Sequence, residues 1–346
     1  MIIIIAILVL GFLIVVHELG HFIVAKMAGI HVLEFSIGLG PKLYVRQKSK
    51  ETTAYSLRLL PLGGFVRMAG MDTEDEEEHA DDFNSKPLKS RFAVISAGSV
   101  MNFLSAILLF VITFGLIGVP AASNSNMIGE VVADSPAVSA GLRAGDRIIS
   151  INEAPTRNWE EVVGGIRESG KTEMQMVVKR EEKSLSFSVT PRYDSPSDNY
   201  QIGIRQQVVW QKQGFIAAIK LGLVQSFQFA KMVLVGLAGL IAGTISTNEV
   251  AGPVGITVAI GEAAAGGPGY LMIFTAVLGI NLALVNLLPI PALDGSKLIF
   301  LIIEGLRGKP IAPEKENFIN LIGFALLMAL FVLITYNDIA RIISGG

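Results

Sequence analysis

The 346-residue sequence contains no cysteine. That absence excludes disulfides, thiolate metal sites and cysteine nucleophiles together. Histidine is nearly as scarce, since His17, His21, His31 and His79 are the whole supply. Charge is thin too. Only 17% of the residues are charged, against about 25% in a soluble globular chain. The net charge of −2 and the lack of a basic stripe leave nothing for nucleic acid to grip. No long internal repeat is present.

What the sequence has instead is long apolar runs. Residues 1–24, 92–119, 270–294 and 318–340 each hold a run long enough, at about 1.5 Å per helical residue, to cross a hydrocarbon core of roughly 30 Å. The first lacks a basic leader and a small-residue cleavage site, and it carries His17, Glu18 and His21, so it reads as a retained span rather than a signal peptide. Residues 25–91 open with alternating, Gly-punctuated sequence, such as Val32 to Ile37 and Ala54 to Leu59, which favours a β-hairpin or re-entrant segment. They continue into an acidic run from Asp72 to Asp82, read as a solvated loop. Residues 120–192 form a small soluble domain, 193–214 a linker, and 246–269 and 295–317 loops. In 215–245, Lys220, Gln225, Gln228 and Lys231 interrupt the apolar pattern, which suits a helix lying in the membrane interface. The expected fold is a polytopic α-helical membrane protein with about four transmembrane helices, a membrane-associated β-rich segment and one inserted α+β domain.

The chemistry sits in the first span. His17-Glu18-Leu19-Gly20-His21 matches H-E-x-x-H. On a helix, positions i and i+4 share a face, so both imidazoles can grip one metal ion while Glu18 reaches a water beside it. Three ionisable residues in a span are costly without a partner and mark a functional site. A catalytic zinc needs a third protein ligand and an open position. Asp294 is the strongest candidate, following Asn286-Leu287-Leu288-Pro289-Ile290-Pro291-Ala292-Leu293, where two prolines break the helix and free backbone that lipid cannot satisfy. Glu34, Glu51 and His31 are alternatives. Non-enzymatic readings also fit intramembrane polar residues: a membrane scaffold, or a transporter with a structural metal site.

H-E-x-x-H in the first span together with N-x-x-P-x-P-x-L-D-G in a late one resembles the site-2 protease family of intramembrane zinc metalloproteases, in particular the bacterial branch that cleaves anti-sigma factors. Phe35 to Pro41, Pro61 to Val66, Ala97 to Phe103 and Gly252 to Ile256 are similar to stretches of that family. Ser135-Pro136-Ala137, with Ala140 to Asn152, resembles a PDZ domain of the kind carried by bacterial proteases, with a helix over Trp159 to Glu168 and strands over Glu173 to Lys179 and Ser184 to Val189. Met127 to Glu130 is the candidate carboxylate loop. The resemblance implies Zn²⁺ held by His17, His21 and Asp294, with Glu18 as the catalytic base. It further implies that Asn286 and Asn281 hold substrate near the metal, and that Asn102 lines the same cavity. The expected reaction is regulated intramembrane proteolysis of single-pass membrane proteins, anti-sigma factors or remnant signal peptides. The expected partners are those substrates, the lipid bilayer and a peptide at the PDZ-like domain.

Topology ties these readings together. The histidines and Asp294 must share one membrane depth, so residues 215–245 cannot make a single crossing. Basic residues crowd 25–91 and 295–317, which places those loops and the metal end of the helices on the cytoplasmic side of a bacterial inner membrane, with the PDZ-like domain outside.

Overall fold

The computed structural model describes residues 1–49, 52–71, 80–195, 198–245 and 251–344. They form two compact units, residues 1–116 with 214–346, and residues 117–213. Most of the acidic run, from Asp72 to Glu78, and Glu51 lie outside the described residues.

The larger unit is built on two antiparallel helices, α1 (Ile2–Met27) and α2 (Leu88–Ile112, continuing into a π-helical turn at Thr113–Ile117). α1 ends where Gly29 takes φ +66°, with backbone bonds from Gly29 to Lys26 and from Ile30 to Ala25 closing the last turn. Small residues let the two helices touch: a Cβ added at Gly20 would lie 2.3 Å from the Ala97 carbonyl. Between them the chain makes β1 (Val32–Arg46) and β2 (Ala54–Met68). Both strands bend, so residues 34–37 have partners on two sides: Phe35 faces Val66 and Tyr55, and Ile37 faces Gly64 and Leu57. Ala25, Val32, Met68, Val94, Ile95, Leu298 and Leu301 form the core that seals this end of the bundle.

The C-terminal half adds α5 (Phe215–Ile241), α6 (Pro253–Ala265), α7 (Pro268–Asn286), α8 (Asp294–Arg307) and α9 (Pro313–Ser344). α6 and α7 start with proline in the first turn, where the missing N–H costs nothing. The α6 N-terminus is also capped from afar: the buried Asp338 carboxylate of α9 accepts from the Gly252 and Gly255 backbone N–H groups at 3.1 and 2.8 Å. Five helices among the described residues are long and apolar enough to cross a membrane: Ile2–Met27, Leu88–Ile117, Phe215–Leu240, Pro268–Asn286 and Glu314–Arg341. α9 leaves Phe318, Leu321, Phe324, Leu326 and Val332 exposed, a surface that suits lipid and not water.

The smaller unit holds a four-stranded antiparallel sheet in the order β6 (Ala154–Pro155), β5 (Arg147–Ile151), β7 (Met174–Arg180), β8 (Lys183–Val189). Ile148, Ile151, Met174, Met176 and Val178 from this sheet pack with Val162 and Ile166 of α4 (Trp159–Ser169) into one core. α4 opens on a capping box, in which Asn158 accepts from the Glu161 N–H while Glu161 accepts from that of Arg157. A short helix, α3 (Pro136–Ala140), precedes the sheet. The helix and the two strands expected in this domain are present within a residue or two.

Several expectations change. Residues 193–214 are not a plain linker. They hold β10 (Asn199–Gln201), β11 (Ile204–Gln206) and β12 (Val208–Gln211), with β9 (Arg192–Asp194) just before. β11 returns to β4 (Ile128–Val131) and β12 to β3 (Val119–Ala122), closing the unit where its chain enters and leaves. Pairing with β11 also makes Ile128 to Glu130 a strand, so Met127 to Glu130 is not a carboxylate loop. Residues 253–265 are helical within the expected 246–269 loop, because Gly252-Pro253 starts a helix that Asp338 caps. The 295–317 loop is mostly α8: once the prolines have broken α7, Leu298, Leu301 and their neighbours find an apolar seat. Among the described residues five helices reach apolar length, the four expected spans and α5, the segment expected in the membrane interface.

Candidate metal centre

Three side chains from opposite ends of the chain meet inside the helical unit. His17 Nε2 and His21 Nε2 lie 3.2 Å apart, and both face Asp294 Oδ2, at 3.1 and 3.3 Å. α1 supplies the imidazoles one helical turn apart, and α8 supplies the carboxylate on its first residue, where the helix N-terminus favours a negative charge. The break ahead of α8 makes this approach feasible. Ala292 takes φ +73° after Pro289 and Pro291, and a Cβ at Gly295 would stand 2.0 Å from the Leu288 carbonyl. The turn that presents Asp294 therefore requires glycine at the next position.

The donor set fits a cation. His21 Nδ1 lies 2.8 Å from the Val94 carbonyl and donates its proton there, so Nε2 carries the lone pair. Asp294 Oδ2 is buried and makes no hydrogen bond of proper geometry. Lone pairs facing one another in a dry site repel unless a positive ion stands between them. In a tetrahedral zinc site neighbouring ligand atoms are about 3.3 Å apart, close to the three separations here. These three residues are also the group of His, Asp and Glu side chains among the described residues that could hold a metal ion.

The remaining site residues fall into place unequally. Glu18 turns toward β2: a Cβ at Gly64 would meet Glu18 Cγ at 3.3 Å. Asn102 of α2 and Asn286, the last residue of α7, both bring Nδ2 to 3.5 Å from His17 Nδ1. Asn102 is fully buried and its Oδ1 has no partner. Asn281 is exposed on α7, apart from this cluster. Glu34 is committed elsewhere, bonded to Ser56 at 2.6 Å, Arg58 at 2.8 Å and Lys42 at 3.1 Å, and His31 lies outside the cluster.

Gly98 was not foreseen as part of the site. A Cβ there would stand 2.4 Å from His21 Nε2 and 2.6 Å from His17 Cε1. Nor was the buried pair of Arg91 and Glu304, which joins α2 to α8 through a two-pronged contact (3.0 Å for Nη1 to Oε2) and holds the helix that carries Asp294. No local pattern in the sequence signals either.

A helical membrane unit with an H-E-x-x-H helix and a distant aspartate on one metal-sized cluster defines a membrane-embedded metallopeptidase. Comparison with known proteins agrees: the model of peptidase family M50 matches residues 5–330, and the chain belongs to that family. It is 34% identical to the regulator of sigma-W protease RasP of Bacillus subtilis, with 97% of each chain covered. It is 35% identical to the zinc metalloprotease RasP of Geobacillus kaustophilus and 36% to a putative zinc metalloprotease of Clostridium acetobutylicum, again over 97% of each. Among solved structures, the PDZ domain of an SdrC-like protein from Listeria monocytogenes matches 25% of this chain and 93% of that one, at 20% identity and a TM-score of 0.22. The protein is a zinc metalloprotease of the intramembrane type.

Proposed function

We propose that His17, His21 and Asp294 hold the catalytic zinc and that Glu18 is the general base for peptide-bond hydrolysis within the membrane. The observation that carries this reading is the convergence of two imidazole nitrogens and one carboxylate oxygen within 3.3 Å, with Glu18 beside them on the same helix. Zinc bound there supplies a Lewis acid that polarises the scissile carbonyl and makes water nucleophilic near neutral pH. Glu18 takes the proton of the attacking water and returns it to the leaving nitrogen.

A transmembrane substrate hides its carbonyls in helical hydrogen bonds and must unwind to be cut. The Gly64 to Val66 arm of β2 is paired on one side with residues 35–37, and Glu18 stands against it. An extended substrate segment that pairs along this arm lies beside the base, and the new backbone bonds offset the lost helical ones.

The asparagines take different parts. Turning the Asn102 amide over gives its unpartnered Oδ1 the His17 Nδ1 proton, leaving His17 Nε2 free for the metal. Asn102 thus positions His17, and its full burial argues against direct substrate contact. Asn286, partly exposed beside the same ring, is the one we assign to substrate, with Asn281 a more distant contact.

The substrates are single-pass membrane proteins of the anti-sigma or remnant-signal-peptide kind, a reading supported by the sigma-W regulator among the relatives. The 117–213 unit is PDZ-like and selects substrates outside the cytoplasm, by taking a peptide strand or by admitting only short external parts. The metal end faces the cytoplasm of a bacterial inner membrane, because Lys42, Arg46, Arg58, Arg67, Arg307 and Lys309 cluster there.

α5 is best read as entering the bundle and returning without a net crossing. It runs antiparallel to α2, with Gly222 against Val111, and Phe227 and Phe229 against Phe103 and Phe110. Yet Gly252 already sits against Asp338 near the end of α9, and Gly261 against Ile2 at the start of α1. The start of α5 and Gly261 of α6 therefore both stand at the end of the bundle where α1 begins.

The test is purified Glu18→Gln. It is expected to keep one zinc per chain and to lose cleavage of a single-pass substrate by at least about a hundredfold. Cleavage at the original rate contradicts the assignment.

A further inference from the structure

Where α1 ends, the β1–β2 hairpin and Lys26 border a half-open cavity of about 790 Å³. Its apolar wall includes Phe35, Tyr55 and Leu57, and the Phe35 and Tyr55 rings meet Phe22 of α1 and each other at steep angles, with 5.2 to 6.4 Å between centroids. Around that wall stand three cations, Lys26, Arg46 and Lys48, and no carboxylate among the described residues lines the cavity. None of the three makes an ion pair among the described residues. The nearby buried anion, Glu34, is already taken by Arg58 and Lys42.

Charge and apolar wall together narrow the occupant. Three cations around one opening repel one another, which an anion relieves, and an apolar wall of this size favours a hydrocarbon chain. Depth narrows it further. Lys26 lies in the last turn of the first apolar helix, the level at which basic and aromatic residues meet lipid headgroups. The flanking Leu43 and Tyr44, each 62% exposed, continue the apolar surface outward.

We propose that this cavity binds one anionic phospholipid, its phosphate held among Lys26, Arg46 and Lys48 and its acyl chains against Phe35, Tyr55 and Leu57. The proposal rests on α1 crossing the membrane and is independent of the catalytic assignments. The bound lipid steadies the hairpin whose other arm faces Glu18. An acidic peptide is the competing occupant; it would match the cations and leave the apolar wall unfilled.

The experiment is native mass spectrometry of the full-length protein in neutral detergent, offered phosphatidylglycerol and phosphatidylcholine at equal concentration. The wild type is expected to retain one phosphatidylglycerol in preference, and excess inorganic phosphate is expected not to displace it. The triple variant K26Q/R46Q/K48Q should retain at least about tenfold less, given that each basic residue near a lipid surface contributes about 1 kcal/mol, roughly fivefold in affinity. K26R/R46K/K48R, which preserves charge, should bind like the wild type, and so should the equally neutralised control R307Q/K309Q/K315Q. Equal retention of the two lipids by the wild type, or equal phosphatidylglycerol retention by K26Q/R46Q/K48Q, overturns the proposal. Displacement by inorganic phosphate, or by a synthetic acidic peptide at micromolar concentration, overturns it in favour of an anion or peptide site.

Discussion

Gly98 of α2 and His21 of α1 are packed so closely that any side chain on Gly98 would collide with the imidazole, an added Cβ standing 2.4 Å from Nε2. The same Cβ would meet His17 Nε2 at 2.7 Å, so this glycine borders the metal-facing nitrogens of both histidines. Gly98→Ala is therefore expected to shift at least one ring. Zinc affinity should fall by about ten- to a hundredfold, and thermal stability by about 1–3 kcal/mol from overpacking. Competitive chelator titration reads the first effect and a melting curve the second. Wild-type zinc affinity in Gly98→Ala would show that α2 can yield, and that the close approach is incidental.

Asn102→Ala tests the positioning of His17. Loss of the outer hydrogen bond to a metal-binding imidazole typically lowers metal affinity by about ten- to a hundredfold, and chelator titration should show a fall of that order. Asn281→Ala should leave zinc affinity unchanged. Substrate KM should rise in Asn286→Ala with little change in zinc affinity. A zinc defect in Asn286→Ala equal to that of Asn102→Ala would assign both amides to the metal ligand.

The smaller unit carries a pH-dependent contact. Asp146 is fully buried; burial alone would raise its pKa, but the Arg180 guanidinium at 2.7 and 2.8 Å and the Arg143 backbone N–H lower it below the ordinary 3.8. A carboxylate with a lowered folded-state pKa stabilises above its unfolded value, about 4, and that contribution is lost as pH falls through the folded value. Both tryptophans, Trp159 and Trp210, belong to residues 117–213, so fluorescence of the intact protein reports this unit alone. Asp146→Asn is expected to lower its stability at neutral pH by about 1.5–3 kcal/mol and to flatten its pH dependence below about pH 4. An unchanged acid limb would mean that other carboxylates govern it.

The path of α5 can be checked by cysteine labelling, since the natural chain has no cysteine to interfere. A single cysteine at Ser246 should be modified from the same side of the membrane as one at Ser186 in β8. Labelling from the opposite side would give α5 a full crossing and contradict the reading that it returns to the side it left.

How much of this was legible in the residues depends on the range of the signal. H-E-x-x-H needs only helical periodicity, and the two prolines before Asp294 announce a broken helix, so the three residues now found together were nameable from local pattern. The alternation in Val32 to Ile37 and Ala54 to Leu59 likewise announced strands. Long-range closure was not legible. The strands in 204–211 exist because β3 and β4 offer partners far back in the chain, and α6 owes its start partly to Asp338, more than eighty residues later. α8 read as polar loop because Lys297, Glu304 and Arg307 dilute it, yet Glu304 is paired with Arg91 and its apolar residues face the core. Gly98 is one glycine among 36, and only the approach of α1 shows what it is for.

The central claim is tested most directly by X-ray absorption at the zinc edge on purified, folded protein and on Asp294→Ala. One zinc per chain is expected, with two imidazole nitrogens and carboxylate oxygen in its shell, and Asp294→Ala should lose the carboxylate contribution together with most of the metal. Zinc bound at full occupancy with an unchanged shell in Asp294→Ala, or a wild-type shell lacking imidazole, would contradict it.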